Sequence, residues 1–111
     1  MGFHTTKDSG GVTVVRVEGQ LIVGNRQELK DLVGKALDAG ERKFLIDFAG
    51  AGYIDSSGLG ALVSLSRRVR EAGGELRLSG LNEDLRSLFE LTKLDTLFAI
   101  ADTPEQALAN F

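Results

Sequence analysis

The chain has 111 residues, 42% of them hydrophobic and 26% charged, with a formal net charge of −3 and no cysteine. This length suits one domain, residues 1–111, which can bury about two-thirds of its unfolded surface without staples. The acidic balance argues against direct nucleic-acid binding, and the missing cysteines exclude disulfides and thiolate metal sites.

The N-terminal stretch MGFHTTKDSGG lacks a basic segment followed by an apolar run, so it does not read as a secretory signal. Its residues 2–6, GFHTT, loosely fit a myristoylation pattern, a short match of the kind that arises by chance. No apolar run approaches the ~20 residues of a membrane helix. No membrane insertion is expected, and the cytoplasm is the simplest location.

Residues 3–7 read as a weak strand. The turn Asp8-Ser9-Gly10-Gly11 leads into VTVVRVE, residues 12–18, whose β-branched residues read as a second strand. Residues 25–39 read as a helix. Leu29, Leu32, Val33, Ala36 and Leu37 share one face, Asn25 with Glu28 resembles a capping box, and Gly40 supplies the stop. KFLIDF, residues 43–48, is nearly all apolar and suits a central strand. A loop is expected over 49–54, then a helix from 58 to 72 with Leu59, Leu62, Val63, Ser66 and Val69 on one face. ELRLS, residues 75–79, alternates like a strand. Asn82 caps a third helix with the stripe Leu85, Leu88 and Phe89, and residues 97–101 form a last strand. Thr103-Pro104-Glu105-Gln106 opens a final helix that Ala107, Leu108 and Phe111 pack down. The order β-β-α-β-α-β-α-β-α implies an α/β fold with a mixed, mostly parallel sheet and an opening hairpin.

Chemistry concentrates at Ile54-Asp55-Ser56-Ser57-Gly58-Leu59-Gly60, between the central strand and the second helix, a favoured place for function in open α/β sheets. A nucleophile elbow needs glycine two residues before the serine and a base nearby; neither serine has that glycine, and His4, the only histidine, falls on the first strand. Gly50-Ala51-Gly52 and Gly58-Leu59-Gly60 each lack the third glycine of a dinucleotide loop, and no P-loop lysine accompanies them. No catalytic residue, metal site or cofactor is assigned. Two readings remain. In the first, one serine is the helix N-cap; in the second, an exposed serine accepts a phosphoryl group at a helix end whose dipole tolerates it.

Asp-Ser-Ser-Gly-Leu-Gly after a short apolar strand, with a helix ending in Gly-Gly-Glu-Leu, resembles the STAS domain, and more narrowly a bacterial anti-sigma factor antagonist. The resemblance covers nearly the whole chain. It implies a non-enzymatic binding module phosphorylated at Ser56 by an anti-sigma factor serine kinase. The unphosphorylated form would sequester that kinase and release a sigma factor, and a serine phosphatase would reset the switch. The partner surface would comprise Asp55, Ser57, Gly58, Leu59 and Gly60, with Ile22 and Val23. Where the family commonly has Gly-Glu-Leu-Asp after the second strand, this chain has Gly19-Gln20-Leu21-Ile22. Ile22 and Val23 are read as core staples for the first helix, or else as a different partner surface. The alternative implied role is an accessory subunit of a lipid-transport ATPase or a signalling scaffold that does not use the serine. Arg67, Arg68 and Arg70 are placed beside the site, as a solvated face or as contacts to an acidic partner. Asp55 either bonds loop N–H groups or helps the kinase recognise the serine, and Asp47 is structural.

Overall fold

The computed structural model describes residues 2–111. Its first turn is built by Asp8, whose Oδ1 accepts from the N–H of Gly10 at 3.0 Å and of Val12 at 2.7 Å. Gly11 follows at φ +83°, a left-handed conformation that favours glycine. The turn pairs strand β1 (Gly2–Lys7) antiparallel with β2 (Thr13–Leu21). Helix α1 (Arg26–Asp38) returns the chain to β3 (Lys43–Ile54), α2 (Ser56–Glu71) leads to β4 (Glu75–Ser79), and α3 (Glu83–Leu91) leads to β5 (Ala99–Ala101). A 3-10 turn, Leu94–Thr96, precedes β5, and α4 (Pro104–Leu108) closes the chain.

The strands lie in sequence order, with β2 through β5 parallel. Three right-handed crossovers advancing in one direction put α1, α2 and α3 on the same face of the sheet. Strand alternation then explains the core. Phe44, Ile46 and Phe48 join Leu29, Val33, Leu62, Leu65 and Phe89 in one buried cluster, while Leu45 joins Val12 and Ala107 in a smaller one. Helix α4 therefore covers part of the opposite face. The α/β architecture and the nine-element order agree with the pattern read from the sequence.

The main departure is the length of β3. Its glycine-rich end, AGAG, reads as a loop, yet it continues as strand to Ile54 because β2 runs beside it to Leu21. The ladder pairs Glu18 with Gly50, Gly19 with Ala51, Gln20 with Tyr53 and Leu21 with Ile54. Two register shifts accommodate the stretch, and Gly19 lies between them at φ +86°. Asp47 thus falls inside β3. It is 2% exposed, accepts from Ser79 Oγ at 3.1 Å and from the N–H of Ala49 at 3.2 Å, and lies 3.6 Å from Arg16 Nε. Those partners make it a structural carboxylate. At the other end, Leu97 lies outside β5, on the turn before it, and is 48% exposed.

The caps are partly as expected. Asn82 Oδ1 accepts from the N–H of Leu85 at 2.8 Å, and Thr103 Oγ1 from the N–H of Gln106 at 3.2 Å. Gln106 Oε1 reaches back one residue further than a capping box, to the N–H of Asp102 at 3.2 Å. Asn25 stands at the N-cap of α1, but its side chain makes no capping bond.

Candidate functional site: the paired ends of β2 and β3

Strands β2 and β3 finish side by side, so the chain leaves the sheet twice at the same place. One exit is the loop 22–25 into α1, and the other is Asp55 into α2. Asp55 is extended, at φ −89° and ψ 178°, and is the N-cap of α2. Its Oδ1 accepts from the N–H of Gly58 at 2.7 Å. Its Oδ2 accepts from the N–H of Val23 at 3.1 Å, 32 residues earlier in the chain. Its own N–H donates to the carbonyl of Leu21 at 3.1 Å. The expectation that Ser56 or Ser57 caps this helix is therefore corrected. An aspartate is an equally good cap, and here the residue before the serines takes the role. Ser56 and Ser57 are the first two helical residues, Ser56 exposed and Ser57 half-buried.

Both glycines that follow have a physical reason. A Cβ at Gly58 would meet the Leu21 carbonyl oxygen at 2.5 Å and Ile54 Cγ2 at 2.9 Å, so the helix reaches this close to β2 only with glycine there. Gly60 is exposed, with open space where its Cβ would lie. Gly58 is buried, and Leu59, 9% exposed, belongs to the core. These two residues shape the surface from beneath, whereas Ser56 and Gly60 stand on it.

The facing loop is held by Asn25. Its Oδ1 accepts from the N–H of Ile22 at 2.9 Å, and its Nδ2 donates to the carbonyl of Gln20 at 2.9 Å. The side chain turns back onto the loop, and that is why it leaves the helix uncapped. Val23 is 62% exposed, which corrects its reading as a core staple; Ile22 is half-buried. The expected pair thus divides, with Val23 presented to solvent.

Tyr53, absent from the residues expected here, is 56% exposed on β3, two residues before Asp55. No sequence signal marked it, because this end of β3 reads as a loop; in the structure Ile54 is 2% exposed and Tyr53 beside it points outward. The arginines expected beside the site are not there. Arg67 lies 11 residues beyond Ser56 on α2, about 16 Å at 1.5 Å per residue. The Arg68 guanidinium lies against buried Gly34 of α1, with Nη1 2.9 Å from where a Cβ would stand. Arg70 Nη2 is 3.5 Å from Ser66 Oγ.

Chemically, the site offers an exposed hydroxyl at a helix N-terminus, next to a carboxylate and two exposed hydrophobic side chains. The leading N–H groups of a helix have no partner inside it, and its dipole favours negative charge. His4, the one imidazole, lies on edge strand β1 opposite Arg16. Among the described residues, no group of three or more His, Asp or Glu is placed to hold a metal ion. No helix among them is long and apolar enough to cross a membrane.

Known proteins share this fold. BtrV of Bordetella bronchiseptica, a proposed anti-sigma factor antagonist, is 29% identical over 101 residues, covering 91% of this chain and 87% of BtrV. The crystal structure of TM1081 from Thermotoga maritima, another proposed antagonist, has a TM-score of 0.88 at 26% identity, covering 96% of this chain and 91% of that one. SpoIIAA of Bacillus in its phosphorylated form shares the fold, with a TM-score of 0.75 at 21% identity over 96% of each chain. Its unphosphorylated form, described as an anti-sigma factor antagonist, has a TM-score of 0.75 at 19% identity, covering 96% of this chain and 93% of that one. The STAS domain model matches residues 5–107, from β1 through α4, and the chain belongs to the STAS domain family.

Proposed function

We propose that this STAS domain is an anti-sigma factor antagonist, switched by phosphorylation of Ser56. The observation that carries the proposal is the exposed Ser56 hydroxyl in the first turn of α2, with the capping role beside it already filled by Asp55. A kinase can reach that oxygen without undoing the helix start. The names of the relatives support the antagonist role, and the phosphorylated SpoIIAA structure supports a phosphoryl group on this fold.

Phosphorylation adds about −1.5 to −2 charges. At a helix N-terminus a negative charge stabilises by about 0.3–1 kcal/mol, so the fold survives the modification. A partner docked over Ser56, Ser57, Gly60, Ile22, Val23 and Tyr53 would meet a new dianion beside Asp55. In this reading the chain is substrate and binding module for an anti-sigma factor serine kinase. A serine phosphatase restores the binding state.

The test is a pull-down from lysate of the source organism with wild type, Ser56→Ala and Ser56→Asp as baits, followed by mass spectrometry. An anti-sigma factor kinase retained by wild type and Ser56→Ala, and weakened at least about tenfold (~1.4 kcal/mol) by Ser56→Asp, is expected. The same transporter ATPase or scaffold held equally by all three baits would sink the switch.

A further inference from the structure

We infer that Asp55 is a positioning residue that links the Ser56 site to the loop carrying Val23, so that charge at Ser56 releases that loop. The inference deepens the proposed switch and rests on that reading for its physiological trigger, but its structural core stands on the geometry of one carboxylate.

That carboxylate divides its oxygens between two elements. Oδ1 holds the N–H of Gly58 in its own helix at 2.7 Å, and Oδ2 holds the N–H of Val23 across the gap at 3.1 Å. Asn25 already secures the N–H of Ile22, so Val23 is where the loop is tied to α2. The tie is exposed and the longer of the two. It also delivers the 62% exposed Val23 side chain to the proposed partner surface.

A phosphoryl group on Ser56 would stand one residue from this carboxylate. Like charges that close repel, and both groups seek the N–H donors at the start of α2. The bond to Gly58 closes a local ring within the cap, whereas the bond to Val23 spans two loops, and the backbone bond from the Asp55 N–H to the Leu21 carbonyl holds the end of β2 and not Val23 itself. The Val23 bond gives way first. The dianion then acts twice: directly on a docked partner, and indirectly by loosening residues 22–24.

Asp55→Asn separates this link from the cap. Asparagine caps helices as well as aspartate. Its single acceptor oxygen can serve Gly58 in the Asp55 geometry, but its NH2 group faces the N–H of Val23 as a second donor. The variant should keep α2 and lose the tie, with no charge added.

The experiment uses the 15N-labelled chain in three forms: wild type, Asp55→Asn, and wild type with phosphoserine installed at position 56. Backbone relaxation reads the Val23 and Gly58 amides. Val23 should have an order parameter near ~0.85 in wild type and below ~0.6 in both altered forms, with Gly58 unchanged in Asp55→Asn. Amide exchange at Val23 should accelerate at least about tenfold in both. A Val23 amide as rigid and protected in either altered form as in wild type would overturn the inference. Partner titration separates the two claims. Binding lost on phosphorylation while Val23 stays rigid sinks the link and spares the switch. Val23 loosened with binding unchanged spares the link and sinks the switch.

Discussion

At position 58 the fold leaves no room for a methyl group. The Leu21 carbonyl oxygen and Ile54 close on the helix start from the sheet side, and neither the backbone of β2 nor a 2% exposed isoleucine can move freely. Gly58→Ala should destabilise the protein by about 1–3 kcal/mol, read as a lower denaturant midpoint with an unchanged slope. Gly60→Ala, in open space two residues on, should be neutral or slightly stabilising, because alanine is the better helix former. Equal effects at the two positions would contradict the close approach of α2 to β2. Ser56→Ala should leave stability within about 0.5 kcal/mol, since the exposed hydroxyl is not the cap. At this scale the sequence singled out the stretch Ile54 to Gly60 but not which of its residues caps the helix. Asp55, Ser56 and Ser57 are all good cap residues, and only the extended backbone at Asp55 decides among them. The core-staple reading of Val23 fails for a similar reason: an apolar residue in a short loop has no period to say which way it points.

Among the elements, the amphipathic helices were the most legible, since α1 and α2 place the expected leucines and valines in the core. The glycine-rich end of β3 was not legible, because its strand character comes from β2 beside it and not from its own propensity. The fastening of α4 was hidden too. Arg77 on β4 donates from Nη1 to the carbonyls of Ala107 at 2.8 Å and Ala109 at 3.1 Å, and from Nη2 to that of Asn110 at 2.9 Å. Its Cζ lies 4.1 Å from the centroid of the Phe111 ring. In sequence Arg77 is only the polar position of an alternating strand. Lysine cannot reproduce a planar fork, so Arg77→Lys should loosen α4 and cost about 1–3 kcal/mol. Faster amide exchange confined to residues 104–111, with α2 unchanged, would be the sign.

Over the whole molecule, the right-handed crossover rule and the element order were enough to predict the α/β sheet, and the structure adds that α4 alone among the helices sits on the second face. The helices on the first face bring α1 and α2 side by side, and both begin at the same end of the sheet. This arrangement lets one carboxylate join their starting loops. Phosphorylation there is expected to change binding without unfolding the domain, so the unfolding midpoint of the Ser56-phosphorylated chain should match the unmodified one within a few degrees. The most direct measurement is a titration of the anti-sigma factor kinase recovered by the Ser56→Ala bait against the unmodified chain and the chain phosphorylated at Ser56. If Ser56 is the switch, binding is at least about tenfold weaker for the phosphorylated chain, a loss of ~1.4 kcal/mol or more. Equal affinity for the two forms would contradict it.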